Sequence, residues 1–172
     1  MKLDVGCGHQ PKGIVNVDLF VEATNHRSDD QRECNDSPLN PKTIPNLIRA
    51  DAQSLPFRDN VFDDAVSCHV IEHVPNPTRM LREMLRVVKP GGSIQVVCPH
   101  RMAHRRKKRL HINQFNLKWF KQTLRRLDTV QNSQIEYSNW KCLPHSAFAL
   151  FRLPSEITVN ARKIEGGVMF AD

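Results

Sequence analysis

Residues Leu3-Asp4-Val5-Gly6-Cys7-Gly8 run a short apolar strand straight into a glycine turn. Glycine lets the backbone take dihedrals closed to other residues and lets a ligand approach closely. A second short apolar strand, Val15-Asn16-Val17, ends on Asp18. An acid at that strand tip is suited to two ribose hydroxyls. The pair of strands predicts a nucleoside-cofactor pocket on a doubly wound α/β sheet. The run Gly6-Cys7-Gly8-His9-Gln10-Pro11 lacks the third glycine of a pyrophosphate-binding turn. Pro11 and Gly13 also argue against a helix directly after it. A cofactor without a pyrophosphate is therefore expected.

Leu3-Asp4-Val5-Gly6-Cys7-Gly8 resembles motif I of the class I S-adenosylmethionine (SAM) methyltransferases, in the type 11-like group. Four further segments follow in the family's order. Arg49-Ala50-Asp51-Ala52-Gln53-Ser54-Leu55-Pro56-Phe57 is similar to the stretch after strand three, Phe62–Ser67 to strand four, and His69–Val74 to the turn beyond it. Leu85–Gly92 is similar to the helix end before strand five. The resemblance spans about residues 3–125. It implies a Rossmann-like three-layer α/β sandwich, its sheet mostly parallel with an antiparallel closing strand. One domain over 1–164 with a tail over 165–172 is expected.

The resemblance also implies SAM as cofactor and a methyl acceptor as substrate. Gly6 and Gly8, with Cys7 between them, would let the backbone pass under the methionyl and ribose parts, and Asp4 would help hold the turn and, through water or directly, the amino group. Asp18 would take the ribose hydroxyls, and Asp51 with the Ala52 amide would read the adenine. Backbone at Cys68 and His69 would face the methionyl end. One departure stands out: too few residues separate Gly8 from Asp18 for the family's helix between strands one and two, and the chain begins at strand one. Such a pocket is either partly open or closed by a protein partner.

His69, Glu72 and His73 are spaced to share one face of a helical turn. His73 and His69 are the candidate catalytic residues, as general bases for an oxygen or nitrogen nucleophile. With His111, the run His69-x-x-Glu72-His73 also resembles the metal site of small-RNA 3′-terminal 2′-O-methyltransferases, with histidine where that family has its first acid. No metal is assigned on this resemblance.

The net charge of +7 is concentrated in one block: residues 84–127 hold 12 Lys/Arg and no acid. Arg101, Arg105, Arg106, Lys107, Lys108 and Arg109 lie just after strand five, where substrates enter this fold. Such a cluster suits a phosphate-bearing partner, and the acceptor is expected to be small or anionic, RNA included. The rival expectation is a SAM- or RNA-binding subunit with no activity of its own. The five cysteines are scattered without a C-x-x-C pair, which fits reduced thiols and a cytoplasmic setting. No apolar run approaches a membrane span, and no leader is expected ahead of a strand that starts at residue 2.

The remaining elements follow from periodicity. Strands are expected at about 2–5, 14–18, 47–50, 63–68 and 93–98, with a polar loop or lid over 22–46. Residues 77–88 read as a helix capped by Asn76 and opened by Pro77, stopped by Pro90-Gly91-Gly92. A second amphipathic helix is expected over 116–127, and 130–138 with 155–163 as a closing antiparallel pair.

Overall fold

Alternating apolar positions and glycine breaks put short strands where the pattern predicts them. The computed structural model describes residues 1–19, 21, 42–101, 111–139 and 154–165. Five strands are parallel: β1 (Lys2–Val5), β2 (Val15–Asp18), β3 (Leu47–Arg49), β4 (Phe62–Cys68) and β5 (Val88–Pro99). Helix α1 (Pro77–Val87) joins β4 to β5, and α2 (Leu117–Arg125) follows β5. β6 (Val130–Asn139) and β7 (Pro154–Lys163) complete a seven-stranded sheet in the order β3-β2-β1-β4-β5-β7-β6. β7 runs antiparallel to both of its neighbours. This is the expected Rossmann-like α/β fold. The strand order reverses between β1 and β4, and ligands bind beyond the carboxyl ends of strands at such a reversal.

The two faces of the sheet differ in chemistry. Across one face, Val15, Leu3, Ala65, Ile94 and Ala161 stand in register. Val17 with Val5, and Val96 with Val159 and Ile135, extend that face. The inward stripes of both helices join these residues in one core, which holds Met80, Leu81, Met84, Leu85, Phe120 and Leu124. Across the other face run Asn16, Asp4, Val66, Gln95, Asn160 and Gln134, and below them Asp64, Ser93, Arg162 and Asn132. These polar side chains bond along the sheet: Ser93 Oγ donates to Asp64 Oδ1 at 2.6 Å and Gln95 Nε2 to Asn160 Oδ1 at 2.9 Å. Among the described residues, the helical layer packs on the apolar face; residues 22–41 lie outside them.

Where a helix was missing from the sequence, residues 6–14 form a tight loop on the polar face. Lys12 N donates to Asp4 Oδ2 at 2.6 Å, and Asn16 Nδ2 donates to Pro45 O at 2.8 Å. Asp4 and Asn16 are thereby buried with partners, as buried polar groups must be.

Two boundaries differ from expectation by more than one residue. β5 starts at Val88, directly at the end of α1, rather than at Ser93. Val88 pairs with Phe62, and the register then shifts before Asp64 meets Ser93. Gly91, at φ 79°, absorbs the extra residues. Pro90-Gly91-Gly92 is thus an irregularity inside the strand, not a turn ahead of it. α2 ends at Arg125, two residues early, yet Leu127 remains buried.

Candidate active site

The cofactor half of the site is built from motif I and the β2 tip. The Gly6 and Cys7 amides both donate to Val17 O, at 2.7 and 3.1 Å, which folds the turn back over β2. Gly6 has φ 72°, and a Cβ there would lie 2.1 Å from Val70 Cγ2. Only glycine fits, because the turn after β4 comes in against it. Asp18 Oδ2 accepts from Gly8 N at 3.1 Å, so the acid at the β2 tip is tied to the glycine loop. Burial pushes the Asp4 carboxyl above its ordinary value, and the Lys12 amide offsets part of that rise. Burial, with the Asp18 and Asp4 charges nearby, pushes the Cys7 thiol up to about 12.

The segment after β3 is held from two sides. Asp51 Oδ1 accepts from Gln53 N at 2.8 Å and Gln53 Nε2 at 3.1 Å. Gln53 Oε1 accepts from Asn76 N at 2.8 Å, at the α1 cap. Leu55 N donates to Glu83 Oε2 at 2.8 Å, and Arg86 donates to Leu55 O at 3.0 Å and to Phe57 O at 2.8 Å. Helix α1 therefore sets the position of Asp51 and Ala52.

Beyond β4, His69 takes φ 57°, so the turn is not the helical one that the spacing suggested. His69 Nδ1 still lies 3.4 Å from Glu72 Oε1, and Nε2 lies 3.0 Å from Glu156 Oε1 on β7. The Glu72 hydrogen bond, with Glu156 behind it, holds the His69 imidazole above its ordinary value against the effect of burial. Glu72 is 1% exposed, and its Oε2 has no hydrogen-bond partner among the described residues. His73 Nε2 lies 3.9 Å from Glu72 Oε1, and its ring meets that of His111 edge-on with centroids 4.7 Å apart.

Every proposed cofactor residue but Asp4 thus falls at or just past the carboxyl end of a parallel strand: Gly6, Cys7 and Gly8 after β1, Asp18 on β2, Asp51 and Ala52 after β3, Cys68 and His69 at β4. Asp4 lies within β1, one residue before its end. Of the basic cluster, Arg101 is exposed just past β5; Arg105, Arg106, Lys107, Lys108 and Arg109 lie outside the described residues. Three contributors went unread in the sequence: Glu156, Gln53 and Asn113. Asn113 N donates to Glu72 O at 3.1 Å and Asn113 Nδ2 to Val74 O at 2.7 Å. Only Gln53 carried a local signal, because it stands two residues from Asp51.

This strand order, with glycine turn and acids gathered at one end of the sheet, is the class I SAM-dependent methyltransferase fold. Residues 3–96 match the methyltransferase-domain family, and the chain belongs to it. An uncharacterized methyltransferase of Mycobacterium leprae is 41% identical over 95 residues, covering 54% of this chain and 34% of the relative. One from Mycobacterium tuberculosis is 49% identical over 48 residues, covering 28% and 19%. The chain thus spans about a third or less of these relatives' length. Among solved structures, a SAM-dependent methyltransferase of Thermotoga maritima superposes with TM-score 0.65 at 16% identity, over 94% of this chain and 80% of its own. A chain from a complex with the Haloferax volcanii Trm112 methyltransferase activator gives 0.66 at 12% identity, over 95% and 82%. No described helix is long and apolar enough to cross a membrane.

Proposed function

We propose that this chain binds SAM and transfers its methyl group to an acceptor that enters past β5. The observation that carries the reading is the Gly6–Gly8 turn tied to Asp18, with Asp51 held at the next strand end. In this reading the glycines let the methionyl and ribose parts lie against backbone. Asp4 holds the turn, Asp18 takes the ribose hydroxyls, and Asp51 with Ala52 reads adenine. Cys68 and His69 present backbone to the methionyl end. Methyl transfer is an in-line displacement, so the main task is to hold nucleophile and methyl in line. His73 is the better candidate to take the acceptor's proton, because both ring nitrogens of His69 face carboxylates. His69 then acts by holding the turn.

The cluster from Arg101 to Arg109 supports an anionic acceptor, with RNA as the first class to try, in a cytoplasmic setting. Ile14, Leu19 and Ile48 are exposed apolar side chains beside the shortened loop and the edge strand β3, which supports a protein partner that completes the pocket. Calorimetric titration with SAM, S-adenosylhomocysteine and NAD tests the first step. Micromolar binding of the two adenosyl ligands and none of NAD is expected. NAD binding alone would overturn the cofactor assignment. Transfer of labelled methyl to RNA, measured on the same protein, tests the acceptor.

A further inference from the structure

We propose that Glu72, His73 and His111 form a site for a first-row divalent metal ion such as Zn²⁺ or Mn²⁺. One ligand atom from each, a carboxylate oxygen and two imidazole nitrogens, lies within 4.8 Å of the others. Small side-chain rotations would draw them onto one ion. The carboxylate is the strongest part of the case. Glu72 is 1% exposed, and among the described residues its Oε2 accepts no hydrogen bond and its ion-pair neighbours are the imidazoles of His69 and His73. A buried carboxylate needs a cation or a full set of donors, and among the described residues no lysine or arginine supplies either.

The site is also assembled from the backbone up. His73 N donates to Val70 O at 2.8 Å and closes the turn that carries Glu72 and His73. The two Asn113 hydrogen bonds, to Glu72 O and Val74 O, staple the segment with His111 to that turn. His111 is brought to the carboxylate by that bonding and not by sequence proximity. His69 is not a ligand here. Its Nε2 faces Glu156 and its Nδ1 faces the Glu72 carboxylate, so it serves to orient Glu72. Two imidazoles and one carboxylate suit Zn²⁺ or Mn²⁺ better than Mg²⁺, which favours oxygen ligands. Three protein ligands leave positions open for water or substrate, as in catalytic sites. Glu72 and His73 follow Cys68 and His69 by a few residues, on the side where the acceptor would meet the methyl group. That acceptor-facing role rests on the methyl-transfer reading, and metal binding itself does not; with an ion bound, His73 is a ligand, and its role as proton acceptor belongs to the metal-free protein.

The test is calorimetric titration of metal-stripped protein with Zn²⁺, Mn²⁺ and Mg²⁺ separately. One equivalent of Zn²⁺ or Mn²⁺ is expected, with Mg²⁺ weaker. His111→Ala and Glu72→Gln should each weaken binding by about 100-fold or more, since even outer-shell changes cost roughly 10- to 100-fold. His111 is only half-buried, so His111→Ala tests the site even where Glu72→Gln misfolds. SAM is titrated into the same samples, so that a failed cofactor pocket is seen apart from a failed metal site. Absence of stoichiometric Zn²⁺ and Mn²⁺ binding by the unaltered protein, or undiminished binding by His111→Ala, would overturn the proposal.

Discussion

Gly6, Asp18 and Cys7 show how single residues set this pocket. Gly6→Ala places a methyl group 2.1 Å from Val70 Cγ2 in a left-handed backbone region. It should cost about 1–3 kcal/mol by overpacking, read from denaturant unfolding, and should weaken SAM binding as the β4 turn is pushed out. Asp18→Ala removes the partner of Gly8 N and the proposed ribose acceptor. A loss of about 10- to 100-fold in SAM affinity is expected with the fold retained, since a charged hydrogen bond is worth about 1.5–3 kcal/mol. Circular dichroism and calorimetry on one sample separate the two. The Cys7 thiol, pushed up to about 12 by burial, should resist alkylation at pH 8 until the protein unfolds. Mass spectrometry of labelled peptides checks this. The residues legible from the sequence are those whose partners are set by strand-and-turn pattern. Asp4, Gly6, Gly8 and Asp18 stand at consecutive strand ends. Glu156 was not legible, because β7 brings it to His69 from 87 positions away. The same holds for Asn113, whose contacts exist only once the chain folds back on the β4 turn.

Helix α1 is the element on which the middle of the molecule depends. Arg86 Nε donates to Glu83 Oε1 at 2.7 Å, and Glu83 Oε2 also accepts from Leu55 N. Burial alone would raise the Glu83 carboxyl, but Arg86 and the Leu55 amide outweigh it and leave it below its ordinary value. A lowered carboxylate stabilises the fold above its unfolded-state value of about 4.3, and the contribution is lost as pH falls through the folded-state value. Glu83→Gln should therefore be less stable than the natural protein at neutral pH, with the gap closing at acid pH. Unfolding curves over that pH range measure it. At the same C-terminal end of α1, buried Lys163 donates to Leu85 O at 2.9 Å, Val88 O at 2.8 Å and Asn60 Oδ1 at 2.8 Å. Lys163→Met should destabilise by about 1–3 kcal/mol for each acceptor left dry. The helix itself was legible from its stripe and Asn76 cap; its direct passage into β5 was not. Pro-Gly-Gly after a helix reads as a stop, and only pairing of Val88 with Phe62 makes it an irregular strand.

The whole sheet was legible in strand positions and class, because the motifs come in order, β1 to β3 are short, and β6 and β7 alternate or carry β-branched residues. Its asymmetry was not, because the polar row from Asn16 to Gln134 emerges only once register is set across strands distant in sequence. That face carries carboxylate, amide and hydroxyl groups where a second helical layer would need Val or Ile. Replacing Gln95 and Asn160 with valine should change unfolding stability little while promoting association at micromolar concentration, visible by light scattering. Charge gives the molecule a second asymmetry, since residues 84–127 hold no acid. Neutralising Arg105, Arg106, Lys107, Lys108 and Arg109 together should leave SAM binding intact and depress transfer to an anionic acceptor. Remaining binding to that acceptor should then depend less steeply on salt. Full transfer by the neutralised variant would remove the block from the acceptor site.

The seamless passage of α1 into β5 bears on how a ligand is received. Arg86 grips the segment after β3, and two residues later the same chain is already a central strand. No hinge separates the two, so that segment cannot swing without shearing β5 against β4. The side of the pocket proposed for adenine therefore behaves as a fixed jaw, shaped before any ligand arrives. The ordering entropy of binding then falls on the opposite jaw, the loop over residues 6–14. Cofactor affinity should accordingly respond more to stiffening that loop than to any change beneath α1.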